Sequence, residues 1–252
     1  MDLRVFDSLE STNKYCELLD FATVGEFTVV CARRQTAGIG QRGNSWHSAA
    51  DMNLTFSLVL KPVFLGVEEQ YALTKAVSLG VADCVEGLLP QGEAVRIKWP
   101  NDVYIGLRKV CGMLISNRVS GGRLSASIVG IGLNVNETEF PAWVPNPVSL
   151  KQVAGREVEL MPLLRRVVDC IAVRYGELRD GGAARGRMDD EYLDRLLFRG
   201  EERPYLYKGT RIVGTIAGVN RFGHLELDVR GGGRLVCQLK ELVFLGVAGR
   251  EA

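Results

Sequence analysis

Gln35-Thr36-Ala37-Gly38-Ile39-Gly40-Gln41-Arg42-Gly43-Asn44-Ser45-Trp46 is the stretch on which the fold turns. Its glycines at 38, 40 and 43 spell the G-x-G-x-x-G pattern of dinucleotide-binding folds. That pattern carries its meaning only where it follows a strand and opens a helix. Here Asn44 to Asn53 is polar and irregular and leads into Leu54, Phe56, Leu58 and Leu60, which alternate with Thr55, Ser57 and Val59. The context contradicts a dinucleotide fold and makes the stretch a loop between two strands. Such a loop can present several backbone N–H groups to an anion, because glycine admits left-handed conformations. Arg42 adds a charge and Trp46 an aromatic plane.

Upstream, Thr28 to Ala32 is a β-prone run. Downstream, Leu54 to Leu60 has the alternation of a half-buried strand. From Val67 to Leu88, apolar residues at 73, 77, 81, 84, 85 and 88 recur at helical spacing and predict a helix with one buried face, stopped by Gly87 to Gly92. Val95, Ile97 and Trp99 alternate up to Pro100-Asn101-Asp102, and Lys109 to Ser116 is apolar again, so the two runs are expected to form a hairpin. Leu124 to Asn136 is expected to be a further strand. Pro141 to Pro147 is an irregular connection, and helices are expected over Leu160 to Leu178 and Met188 to Leu197. After Gly200 the texture changes to short strands divided by glycine turns, the pattern of a small β-barrel. The domain division expected is 1–199 and 200–252.

Composition sets the outer bounds. The 252 residues are 46% hydrophobic and 24% charged, ordinary for a folded chain. Lys and Arg number 31 against 30 Asp and Glu, a net charge of +1 that suits neither a coat on nucleic acid nor a membrane-surface protein. No basic leader or long apolar run is present, so a cytoplasmic protein is expected. The six cysteines include no Cys-x-x-Cys pair and fit reduced core thiols, and the two histidines lack metal-ligand spacing.

Four other places could carry chemistry. Ser11-Thr12-Asn13 stands before a helical run, where its side chains would cap free N–H groups or hydrogen-bond a small polar ligand. Lys98-Trp99-Pro100-Asn101-Asp102 puts a cation at a strand end and a carboxylate just past a turn, suited to phosphate contact and magnesium ligation, though a plain turn explains it equally well. Lys109 opens the following Lys-x-x-Gly element, where a compact cation could stabilise charge on phosphate or carboxylate oxygens. On the strand from Leu124, Gly130, Gly132, Asn134 and Asn136 share one face. Two glycines beside an amide leave either a shallow slot for a planar ring or room for a packed helix.

In chain order these motifs, Ser11-Thr12-Asn13, Gln35 through Trp46, Lys98 to Asp102, Lys109 to Gly112 and Gly130 to Asn136, closely resemble the biotin protein ligase (biotin–[acetyl-CoA-carboxylase] ligase) family. The resemblance spans nearly the whole chain. It implies an α+β catalytic domain of mixed sheet and helices, akin to class II aminoacyl-tRNA synthetases, followed by a small Src-homology-like barrel. It also implies that biotin and ATP, with magnesium, form biotinyl-5′-AMP, and that biotin then passes to a lysine of biotin carboxyl carrier protein of acetyl-CoA carboxylase or a related carboxylase. The site residues carried over are Ser11, Thr12, Asn13, Gln35, Gly38, Ile39, Gly40, Gln41, Lys109 and Gly112 for biotin. Arg42, Trp46, Lys98 and Asn134 serve the adenylate, Lys109 and Arg42 catalysis, and Asp102 a magnesium contact.

The family loop often runs Gly-Arg-Gly-Arg-Arg-Gly-Arg, and Ile39, Gln41 and Asn44 stand here for three of its arginines, so faster adenylate escape is expected. Because the first ligand motif begins at Ser11, a form without an N-terminal DNA-binding domain is expected, with no nucleic-acid or membrane partner. Strand edges leave room for a homodimer. The alternatives are a lipoate ligase, whose arginine-and-triple-glycine element is missing near the loop, and a non-catalytic biotin- or nucleotide-binding homologue.

Overall fold

The computed structural model describes residues 1–247, apart from the side chain of Arg42. The elements run β1 (Asp2–Leu9), α1 (Thr12–Glu17), β2 (Thr28–Gln35), β3 (Leu54–Leu60), α2 (Gln70–Glu86), β4 (Val95–Lys98), β5 (Asp102–Ile105), β6 (Arg108–Ser120), β7 (Arg123–Leu133), α3 (Leu150–Ala154), α4 (Leu160–Asp180) and α5 (Gly182–Asp194). They continue as β8 (Glu202–Tyr207), β9 (Thr210–Val219), β10 (Leu225–Val229), β11 (Arg234–Cys237) and β12 (Leu242–Phe244). The first seven strands form one mixed sheet in the order β1-β2-β3-β7-β6-β5-β4, parallel only between β1 and β2. The last five form a second, antiparallel sheet in the order β11-β10-β9-β8-β12. The chain is therefore α+β, with Gln35 to Trp46 connecting two antiparallel strands instead of opening a helix.

Several expectations need correction. β3 is buried along its whole length, because α1 covers the face that alternation alone assigned to solvent. α2 is buried on most sides, because α4, α5 and the sheet surround it, and Lys75 is taken into that interior by an ion pair of 2.8 Å to Asp189 on α5. The hairpin from Val95 is a three-stranded meander, since Asp102 to Ile105 forms its own strand between β4 and β6. Asn134 and Asn136 lie beyond the end of β7. α5 starts earlier than expected, after Gly181 turns the chain with φ 68°. α3 was not anticipated, although Ser149 caps it by accepting from the Gln152 N–H at 3.3 Å while Gln152 Oε1 accepts from the Ser149 N–H at 3.0 Å.

The core lies between the large sheet and α2 with α4. At Gly80 the helices meet backbone to backbone, and a Cβ there would stand 2.7 Å from Ile171 Cα. A smaller core on the other face joins Cys16 of α1 to Val30, Val59 and Ile128. All six cysteines are free thiols. The second sheet docks through Phe244, whose ring stacks on Phe198 at 6.4 Å and is held within the sheet by Tyr205 at 5.3 Å. It docks also through Trp99 Nε1, which donates to Gly223 O at 2.9 Å. No helix of the described residues is long and apolar enough to cross a membrane.

Candidate active site

The loop after β2 closes on itself. The Gly40 N–H donates to Asn44 O at 2.7 Å and the Trp46 N–H to Gly38 O at 2.9 Å. A Cβ at Gly38 would meet Trp46 O at 2.6 Å, so glycine there is what permits closure. The closed loop turns Trp46 inwards over β6 and β7, where its indole lies so close to Gly112 and Gly132 that neither position has room for a side chain. Gly130 similarly receives the amide of Asn13. Both readings left open for these glycines meet here: Asn13, on the first turn of α1, covers Gly130, and the Trp46 indole from the loop lies over Gly112 and Gly132.

Beside that floor stands a buried polar group. Ser57 Oγ is 2.8 Å from Thr12 Oγ1 and 2.5 Å from Asn13 Oδ1. Asn13 Nδ2 donates to Leu114 O at 3.3 Å, and the Thr12 N–H donates to Gln35 Oε1 at 2.7 Å. Ser11 is the N-cap residue of α1 but its side chain makes no capping bond, so these three side chains face the cleft or Ser57 and do not cap the helix.

Lys109 and Asp102 form the charged element. Nζ and Oδ2 are 2.8 Å apart, with the side chains 25% and 23% exposed, so the pair remains open to a ligand. Lys109 Nζ also lies 5.5 Å from the Trp46 ring. The Lys109 backbone is fixed at both ends, its N–H donating to Asn146 O at 2.8 Å and its carbonyl accepting from Val148 N at 3.0 Å. Its neighbour Cys111 is no rival nucleophile, because complete burial holds the thiol far above its usual range. The turn before Asp102 is braced by Tyr71 and Tyr192, whose hydroxyls lie 3.1 Å and 2.9 Å from Pro100 O.

Two cavities meet at Trp46 and Lys109. The first, of about 230 Å³, is lined by Ser11, Thr12, Asn13, Gln35, Ile39, Gly40, Gln41, Trp46, Lys98, Asp102, Lys109 and Gly112. The second, of about 350 Å³, has Trp46 and Lys109 in its wall together with His47, Asn134, Phe140, Trp143 and Pro147. Ligand sites commonly measure roughly 300–1,000 Å³, so the two chambers suit the halves of one extended ligand better than two separate ones. Their shared cation stands where an anion from one chamber would meet an anion from the other.

Most of the residues expected at the site are thus brought together in the first chamber. Asn134 falls in the second, where its Nδ2 donates to Val148 O at 3.2 Å. Gly38 is not in either wall and serves loop closure. The Arg42 side chain lies outside the described residues. Among the described residues no group of three or more His, Cys, Asp or Glu could hold a metal, so Asp102 would meet magnesium as a lone carboxylate.

Sequence reasoning missed Lys240, Leu242 and Phe244 of the second sheet, which complete the first chamber; Lys98 Nζ lies 4.9 Å over the Phe244 ring. It also missed Glu137, buried at 4% exposure, which accepts from His47 Nε2 at 2.7 Å, from the Ala49 N–H at 3.1 Å and from Asn53 Nδ2. A buried acid three residues after Asn134 gave no periodic signal to find it by.

Residues 5–134 match the model of the biotin/lipoate A/B protein ligase family. The chain is 31% identical over 222 residues to the biotin–[acetyl-CoA-carboxylase] ligase of Paracoccus denitrificans, covering 86% of this chain and 90% of that protein. It is 31% identical over 179 residues to the bifunctional ligase/repressor BirA of Bacillus subtilis, covering 70% of this chain and 54% of that protein, so it spans about half the length of that relative. Among solved structures, biotin protein ligase from Aquifex aeolicus in complex with biotin and ATP superposes with a TM-score of 0.79 at 26% identity, covering 96% of this chain and 97% of that one.

Proposed function

The chain belongs to the biotin/lipoate A/B protein ligase family, and on that premise we propose that it is a biotin–protein ligase that makes biotinyl-5′-AMP and transfers biotin to a lysine of biotin carboxyl carrier protein. The observation that carries the proposal is the single cation, Lys109, shared by two chambers of different character.

Biotin would occupy the first chamber, its ring against the glycine floor and its polar head toward Ser11, Thr12, Asn13 and Gln35. ATP would occupy the second, beside Asn134 and the aromatic wall, with its phosphates toward Lys109 and Lys98. The biotin carboxylate then attacks the α-phosphorus, a P–O bond forms and pyrophosphate leaves. Two anions must approach for this to occur, and Lys109 neutralises both. Asp102 keeps the ammonium in place before substrates arrive. In the second step the carrier lysine amine attacks the acyl carbon and AMP leaves. Magnesium would enter with the phosphates of ATP and supply further charge neutralisation, with Asp102 as its protein contact. Ile39 gives no donor to the adenylate, so the loop would grip it less firmly than an arginine-rich one.

The same reading takes residues 1–199 as a synthetase-like catalytic domain and 200–252 as a Src-homology-like barrel, the last five residues of which lie outside those described. It places the reaction in the cytoplasm and leaves the β1 edge available to a second copy of the chain. Incubation with biotin, ATP and magnesium should release pyrophosphate, and added carrier domain should become biotinylated on lysine. Labelling with lipoate alone would point to the sister activity, and no product with either acid would point to a binding protein.

A further inference from the structure

Glu137 is a buried carboxylate that takes no part in the reaction described above. It lies a short way beyond the end of β7, and its three hydrogen-bond donors, His47, Ala49 and Asn53, all come from the segment leading into β3. A carboxylate is buried cheaply only where such donors replace water. Two of the three are fixed in direction. The Ala49 donor is a backbone N–H, and Asn53 must present Nδ2, because its Oδ1 accepts from the Val135 N–H at 2.8 Å. Both meet Oε2, which leaves Oε1 to His47 Nε2 at 2.7 Å.

This wiring sets the tautomer of the histidine. A neutral imidazole has one N–H and a carboxylate only accepts, so the proton sits on Nε2 and Nδ1 keeps a lone pair. Among the described residues Nδ1 has no hydrogen-bond partner, and it is not sealed from solvent. The side chain is 26% exposed and stands in the wall of the second chamber. Trp143 meets the ring edge to face at 5.8 Å, so the ring is held from two sides. A packing role alone needs no buried charge behind the ring, since an apolar side chain would fill the same wall. A carboxylate that aims an acceptor into a cavity serves a ligand with a hydrogen to donate.

With ATP in the second chamber and its phosphates toward Lys109, the nucleoside lies along this wall. We infer that His47 Nδ1 accepts a hydrogen bond from the nucleoside, with Glu137 as the positioning residue that keeps the ring an acceptor. The donor is the exocyclic amine of adenine or a ribose hydroxyl. The pair thereby contributes to the choice of nucleotide. The inference rests on the function proposed above.

The test uses the full chain with His47→Phe and Glu137→Gln, and reads kcat/KM for the nucleotide in biotin-dependent pyrophosphate exchange. ATP is compared with purine riboside 5′-triphosphate, which lacks the amine, and with 2′-deoxy-ATP and 3′-deoxy-ATP, each lacking a hydroxyl. In the native protein one analogue is expected to fall about threefold to tenfold below ATP, the worth of one hydrogen bond. His47→Phe should lose the same factor with ATP and nothing further with that analogue, because the bond it would break is already gone. In Glu137→Gln the Ala49 and Asn53 donors hold the new amide by its oxygen, so its NH₂ group faces Nε2 and the ring proton moves to Nδ1. The same selective loss is then expected with the imidazole still in place, which keeps the test available if His47→Phe fails to fold. The analogue that shows the coupling identifies the donor. A merely architectural pair would weaken all the nucleotides by one common factor, and that result overturns the inference. So does a native protein that uses all of them equally, or unchanged use of ATP in both variants. Absence of exchange with ATP in the native protein overturns the function itself and this inference with it, a failure recognisable before any variant is made.

Discussion

On the α2 side of the large sheet, glycine lets backbone meet backbone; on the Trp46 side, glycine lets backbone meet a side chain. Gly80 brings α2 against the main chain of α4, and the contact has no freedom to yield. Gly112, Gly130 and Gly132 instead receive Trp46 and Asn13, groups that can turn aside when a ligand enters. The polar residues divide in the same way. Lys75 on the helix side is sealed against Asp189, whereas Lys109 on the other side keeps its partner Asp102 at the edge of open space. The first side sets stability and the second sets chemistry, so substitutions on the two should separate the two readouts.

The largest effect is expected from Lys109→Ala. Loss of one preorganised charge at a reacting centre costs on the order of 10²–10³ in rate, and biotin-dependent pyrophosphate exchange should fall by that factor with little change in urea midpoint. Gly132→Ala comes next. Its methyl group would push Trp46 off the floor, and a misplacement of about 1 Å can cost 10²-fold in exchange, again with stability nearly kept because the indole can move. Gly80→Ala reverses the pattern: about 1–3 kcal/mol lost in urea unfolding and unaltered KM values for biotin and ATP. If Gly80→Ala impaired KM more than stability, the contrast between the sides would be broken.

Ser57→Ala should raise the KM for biotin about fivefold to tenfold, since Thr12 and Asn13 would lose a buried partner worth about 1 kcal/mol. High pH should affect both sides alike. Burial pushes the thiols of Cys16 and Cys84 up to about 12 and that of Cys31 up to about 11, against 9.0 when free. Their protonated forms are favoured by folding, so stability is whole below pH 9 and declines as pH rises through the folded values. Urea midpoints should therefore agree at pH 7 and 8 and be lower at pH 10.5.

The contrast also explains how much the sequence disclosed. α4 was legible because its apolar residues repeat on one stripe, and Leu164, Val167, Val168, Ile171, Tyr175 and Leu178 are all buried. The loop from Gly38 to Trp46 was legible because its glycines have no helix to open. Thr55 and Ser57 misled, since a polar residue facing a buried site has the same alternation as one facing water. β5 was hidden between two turns. The contributions of Lys240, Leu242 and Phe244 depend on how the second sheet docks, which no local pattern encodes. Glu137 and its bonds to His47, Ala49 and Asn53 join segments far apart in the chain, and such pairings likewise become visible only in the folded molecule.

The most direct test of the shared-cation account is to mix the protein with biotin, ATP and magnesium in the absence of carrier, remove free small molecules, and identify by mass spectrometry what remains bound. The account predicts biotinyl-5′-AMP at close to one equivalent on the native chain and almost none on Lys109→Ala at the same time point. Equal amounts of the adenylate on both proteins, or none on the native chain, would contradict it.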